Sequence, residues 1–196
     1  MRRAWWVVAL GSALVTGCGL TVPNPPKTLP PTLDANTLPP AAVAALDHKW
    51  PRKDWQRATL DPQVASCLPA TVPPKTVVTS DFDSDGMSDI ALAVSTSKGT
   101  RLVVLMARTY GYELFDVDAL GDKAAGLALG IDPRGKRFVN ADTTGVDNYS
   151  SDSIAAIGCA NAHFSYLWSG FDFYKVKVGD AKAAVKTARR ATPFLN

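Results

Sequence analysis

Four aspartates fall at Asp81, Asp83, Asp85 and Asp89, with Gly86 set among them. Carboxylates at that spacing repel one another unless a cation neutralises them. Short acidic side chains on a tightly curved segment supply the oxygen ligands that a hard divalent ion needs. The expected ligands are the side chains of Asp81, Asp83, Asp85 and Asp89 and the backbone carbonyl of Met87. Gly86 takes the turn that other residues resist. Calcium suits such a crowded oxygen set better than magnesium, which keeps more of its water. The competing reading is a solvated acidic turn that binds no ion.

The elements on either side must position that loop. A short β-branched run, 76–79, precedes it, and the apolar run 90–94 follows it, so the loop is expected to join two strands. Further strands are expected at 101–106, 112–117, 138–140, 154–157, 164–168 and 171–178, with a hairpin turn at Ser97, Lys98 and Gly99. The segment 119–130 is small and glycine-rich and reads as a short helix or a loop. Helical patches are expected at 41–46, at 54–58 and after Pro62, and a basic helix at 181–191 carries Lys182, Lys186, Arg189 and Arg190. The fold class that follows is α+β: a mostly antiparallel β-sheet with N-terminal and C-terminal helices, in one globular domain spanning 41–196.

An EF-hand would place helices on both sides of the acidic loop and a glutamate where Leu92 stands. The pattern Asp-x-Asp-x-Asp-Gly-x-x-Asp between strands instead resembles the calcium loops of FG-GAP/VCBS repeats, those of integrin propellers included. The resemblance covers the loop alone. It implies the same ligands, Asp81, Asp83, Asp85, Met87 and Asp89, around one calcium ion. Asp142 to Asp147 is a poor echo without the alternating aspartates, so a whole propeller is not expected.

The first residues carry a different message. Arg2 and Arg3 precede an apolar run containing Trp5, Trp6, Val7, Val8 and Leu10, and the run ends at Gly17 and Cys18. A positive start, a short apolar core and a small residue before the cut describe a secretory signal at 1–17. The cysteine directly after the small residues resembles the bacterial lipobox, in which the thiol is acylated. That implies a lipid anchor on Cys18 and a place in the bacterial cell envelope, on the periplasmic side or at the cell surface. An uncleaved anchor or an ordinary signal peptide is the alternative. Residues 19–40 hold seven prolines and read as a semi-rigid stalk, up to about 70 Å long if fully extended.

Charge and cysteine usage agree with export. The net charge is +3, and losing residues 1–17 removes only Arg2 and Arg3, which argues against a nucleic-acid binder. Cys67 and Cys159 remain after Cys18 and most simply pair with each other in an oxidising compartment; two buried free thiols are the alternative. The bridge would close a loop of 92 residues. In the chain-entropy model that stabilises the fold by about 4 kcal/mol.

No catalytic residues are assigned. The chain has no Gly-x-Ser-x-Gly elbow, no His-Glu-x-x-His helix and no phosphate-binding glycine loop. A hydrolase would have to pair His163 with a serine or an acid. Tyr149, Tyr166, Trp168, Phe171, Phe173 and Tyr174 crowd the C-terminal half, either filling a small core or forming an aromatic surface for a partner. The expected function is therefore calcium-stabilised binding of a protein or glycan at the envelope. An inhibitor or immunity-type lipoprotein and a hydrolase are the alternatives.

Overall fold

The computed structural model describes residues 37–51, 54–143 and 145–179. Two antiparallel sheets pack face to face. The first contains β1 (Trp55–Arg57), β2 (Val77–Ser80), β3 (Asp89–Thr96), β4 (Gly99–Arg108) and β5 (Gly111–Gly121). Its order is β1-β3-β4-β5, with β2 sharing the same edge of β3 as β1. The second contains β6 (Ala128–Asp132), β7 (Arg137–Asn140), β8 (Val146–Asn148), β9 (Ser153–Ile157), β10 (His163–Trp168) and β11 (Phe173–Gly179), in the order β6-β9-β10-β11-β7-β8.

The burial pattern explains why β3 and β4 read as unbroken apolar runs. Alternate residues of a strand point to opposite faces, and both faces of the first sheet are covered. Ile90, Leu92, Val94, Val103 and Leu105 pack against α1 (Pro40–Lys49) through Ala42 and Leu46. Ala91, Ala93, Leu102, Val104 and Met106 face the second sheet, where they meet Leu129, Ile154, Ala156, Tyr166 and Phe173. The result is three layers, with the strands that flank the acidic loop at the centre.

Short backbone links stitch the sheets together at one side. Leu129 N–H donates to the Lys75 carbonyl at 2.7 Å, Asp61 N–H donates to Ala125 at 3.0 Å, and Leu60 forms a parallel bridge with Ala125. Asp61 also caps α2 (Pro62–Cys67), its carboxylate accepting from Gln63 N–H. Cys67 is joined by a disulfide to Cys159, their Cα atoms 5.5 Å apart.

Several expectations change. The predicted single sheet is two sheets. The predicted helical turn at 54–58 is instead strand β1, because Trp55, Gln56 and Arg57 find Thr96, Ser95 and Val94 on an open edge of β3. Edge pairing of this kind overrides a weak local preference. The segment 119–130 is neither a helix nor a plain loop, since it holds the end of β5 and the start of β6. The helices among the described residues are α1, the six-residue α2 and a 3-10 turn at Cys159–Asn161, and α1 and α2 overlap the helical patches expected at 41–46 and after Pro62. The predicted basic helix at 181–191, the segment 1–17, Cys18 and most of the proline-rich stretch lie outside the described residues. Among the described residues no helix is long and apolar enough to cross a membrane.

Candidate metal centre

The acidic loop runs from the end of β2 into β3, and one buried ring anchors it. Phe82 is fully buried in the core between the sheets, so the backbone on either side must turn outward. Ser84 and Gly86 make that turn with φ of 63° and 88°. An L residue pays a steric cost there that glycine avoids, and Gly86 stands at one of the two positions.

Each carboxylate also braces the turn through backbone N–H groups ahead of it. Asp81 accepts from Asp85 N–H and Gly86 N–H, both at 3.0 Å. Asp83 accepts from Asp85 N–H at 3.2 Å, and Asp85 accepts from Met87 N–H at 2.7 Å. These side-chain caps hold a loop that has no ladder of its own. Asp89 reaches further. Its Oδ2 accepts from Phe82 N–H and its Oδ1 from Ala107 N–H on β4, both at 2.8 Å. The β3–β4 register, with Ile90 opposite Leu105, places Asp89 beside Ala107.

One oxygen from each of Asp81, Asp83 and Asp89 lies within 4.8 Å of the other two, and such a group can hold a metal ion. It is the one group of this kind among the described residues. Of the five predicted ligands the fold thus gathers three. Asp85 is exposed and engages Met87 N–H and, at 3.5 Å, Arg108. Met87 enters the loop's hydrogen bonding through its N–H group.

The charges in this cluster are only partly compensated. Burial pushes the Asp89 carboxyl up to about 7, against the lowering effect of the Ala107 and Phe82 N–H groups, and the charges of Asp83 and Asp85 push the same way as burial. Burial also raises Asp85. Arg108 sits at the rim, its Nη1 donating to Asp83 at 2.7 Å and its Nε to Glu113 at 3.1 Å. Its hydrogen bond to Asp83 raises the guanidinium further above its ordinary value. Arg108 and the Ala107 N–H were missed from the sequence. They lie 18 to 25 positions from their partners, and only strand register brings them in.

A second polar group sits on the other sheet. Asp132, almost wholly buried, accepts from Lys136 Nζ at 2.6 Å and Ser165 Oγ at 2.5 Å, and lies 2.9 Å from His163 Nε2 and 3.0 Å from the Tyr149 hydroxyl. Burial alone would raise this carboxyl. The bonds from His163, Lys136 and Ser165 overcome it and hold Asp132 well below the usual carboxylate range. Here the carboxylate, not the imidazole, contacts the serine hydroxyl, and Ser165 is 0% exposed. An imidazole activates a serine by bonding to its hydroxyl. The cluster has the form of a structural hub.

The aromatic residues divide. Tyr149, Tyr166 and Phe173 are buried, and Trp168 packs edge-on against Phe115 with centroids 5.3 Å apart. Phe171 (81% exposed) and Tyr174 (49%) do face solvent, and so does Tyr110 (100%) in the β4–β5 turn, two residues from Arg108. No protein-family model matches the chain, and no curated protein and no solved structure matches it.

Proposed function

We propose that this chain is a lipid-anchored protein of the bacterial envelope whose β-sandwich binds one calcium ion at the β2–β3 loop and presents a surface to a protein or glycan partner. The observation that carries the ion is the convergence of Asp81, Asp83 and Asp89 oxygens within 4.8 Å. Oxygen-only ligands favour calcium over softer metals, and a set of several carboxylates disfavours magnesium, which keeps most of its water. The ion's role is structural first, because the loop joins the two central strands. Tyr110, at the tip of the turn that Arg108 ties to Asp83, supports a binding role, since exposed aromatics are common anchors for partners. An inhibitor of an envelope enzyme would use the same surface. The hydrolase reading draws no support from His163, whose Nε2 is committed to Asp132.

Thermal unfolding with calcium, with magnesium and with chelator tests the ion, run on the wild type and on Asp83→Ala. The expected result is a calcium-specific rise in midpoint that the substitution abolishes. Equal midpoints in all three conditions would refute the site. Incorporation of labelled palmitate, lost in Cys18→Ala, tests the anchor separately.

A further inference from the structure

Backbone hydrogen bonds fix the chain on both sides of α2 without help from sulfur. Before it, Asp61 N–H donates to Ala125, and Ala125 N–H donates to Thr59, each at 3.0 Å. After it, Leu129 N–H donates to Lys75 at 2.7 Å and Ala93 N–H to Thr76 at 2.8 Å, and β2 then pairs along β3. Residues 62–74 form a strap between these anchors. The strap buries one α2 side chain, Val64, and α2 packs on the 3-10 turn at Cys159–Asn161. The disulfide pins the strap to that turn, and both of its cysteines are exposed.

The turn itself is held in an unfavourable shape. Ala160 (φ 53°) and Asn161 (φ 61°) are consecutive left-handed residues directly after Cys159. Asparagine tolerates that region, whereas alanine disfavours it by about fivefold or more. Such backbone persists only where its surroundings over-determine it. Here those surroundings are the bond to Cys67 and two backbone bonds, from Gly158 N–H to the Ala162 carbonyl at 2.8 Å and from Ala162 N–H to the Cys159 carbonyl at 3.1 Å.

We propose that Cys67–Cys159 is a thiol-exchangeable latch that opens the strap 62–74 while both sheets stay folded. The reacting partner is a dithiol. One of its thiolates attacks an exposed sulfur, the Cys67–Cys159 bond breaks, and a mixed disulfide forms. The second thiol of the reductant then closes its own disulfide and expels the cysteine. Two electrons pass to the pair, and the two thiol protons of the reductant end on Cys67 and Cys159. Exposed and strained disulfides are the labile ones, and this bridge is exposed and closes on a strained turn.

The test is hydrogen exchange by mass spectrometry on the whole protein in graded dithiothreitol redox buffers, with alkylation to count free thiols. Reduction should speed exchange in 62–74 by about tenfold or more while β3, β4 and β10 keep their protection. The double variant Cys67→Ser/Cys159→Ser should show the open pattern without reductant. A strap that exchanges no faster once reduced, or sheets that lose protection together with it, would overturn the latch. Ala160→Gly relieves the turn and should make the bond about fivefold harder to reduce. An unchanged equilibrium there would overturn the claim that the turn poises the latch.

Discussion

Arg108 Nη1 lies 2.7 Å from Asp83 Oδ2, so the carboxylate group suited to a cation already has one at its rim. A guanidinium and a divalent ion sharing Asp83 repel each other. Arg108→Gln is therefore expected to raise calcium affinity by about tenfold, read by titration calorimetry. The same variant without metal should lose no more than about 1 kcal/mol, since the arginine is partly solvated. Weaker calcium binding in Arg108→Gln would mean that the arginine supports the loop and does not compete for it.

Asp89 is expected to matter even without an ion. Its carboxylate is the acceptor for Phe82 N–H and Ala107 N–H, on two different segments. Asp89→Ala leaves both donors unpaired at a buried position and should cost about 2–4 kcal/mol in urea unfolding with chelator present. A loss below about 1 kcal/mol would show that water replaces the carboxylate.

Phe82 ties the loop to the core. Phe82→Ala removes a ring with no exposed surface and should destabilise the fold by about 3–5 kcal/mol. Because Asp81 and Asp83 flank the ring, the calcium-dependent rise in midpoint should shrink in the same variant. A full calcium effect on the destabilised protein would uncouple the ring from the loop's shape.

Asp132 sets an acid limb. Its folded-state carboxyl is lower than its ordinary value of 3.8, so below about pH 4 the unfolded chain binds the proton more readily than the folded one. Its contribution is complete above that value and is lost as pH falls further. Asp132→Asn should cost about 3 kcal/mol or more at neutral pH, because Lys136 and His163 lose a buried partner. The gap between variant and wild type should narrow steadily between pH 4 and pH 2 in urea midpoints. A gap that does not change with pH would show that Asp132 is not a charged hub in the folded state.

The parts of the fold legible in the chain are those written locally. The apolar runs at 90–94 and 101–106 announce strands, and the period of two sorts Ile90, Leu92 and Val94 from Ala91 and Ala93. The turn at Ser97, Lys98 and Gly99 is visible because Gly99 supplies a φ of 110°. Trp55 to Arg57 reads as a helical turn in the sequence because three residues carry too little pattern to reveal an edge pairing with residues some forty positions away. The sequence does not separate the second sheet from the first for a similar reason, since alternation shows a strand's two faces but not which sheet it joins.

At the candidate site, the spacing of the aspartates and the place of Gly86 determined by themselves that carboxylates would crowd one turn. Cys67 and Cys159 pair most simply once Cys18 is set aside as an anchor, and the structure joins these two. Tertiary structure alone decided that Asp81, Asp83 and Asp89 converge while Asp85 turns to Met87 and Arg108. It also decided that His163, Ser165, Tyr149 and Lys136 close on Asp132. The physical reason is the same in both places. Arg108 and Ala107 on β4, and His163 and Ser165 on β10, reach their carboxylates from other strands, and register between strands is set by packing of the whole sandwich, which no local stretch of sequence records.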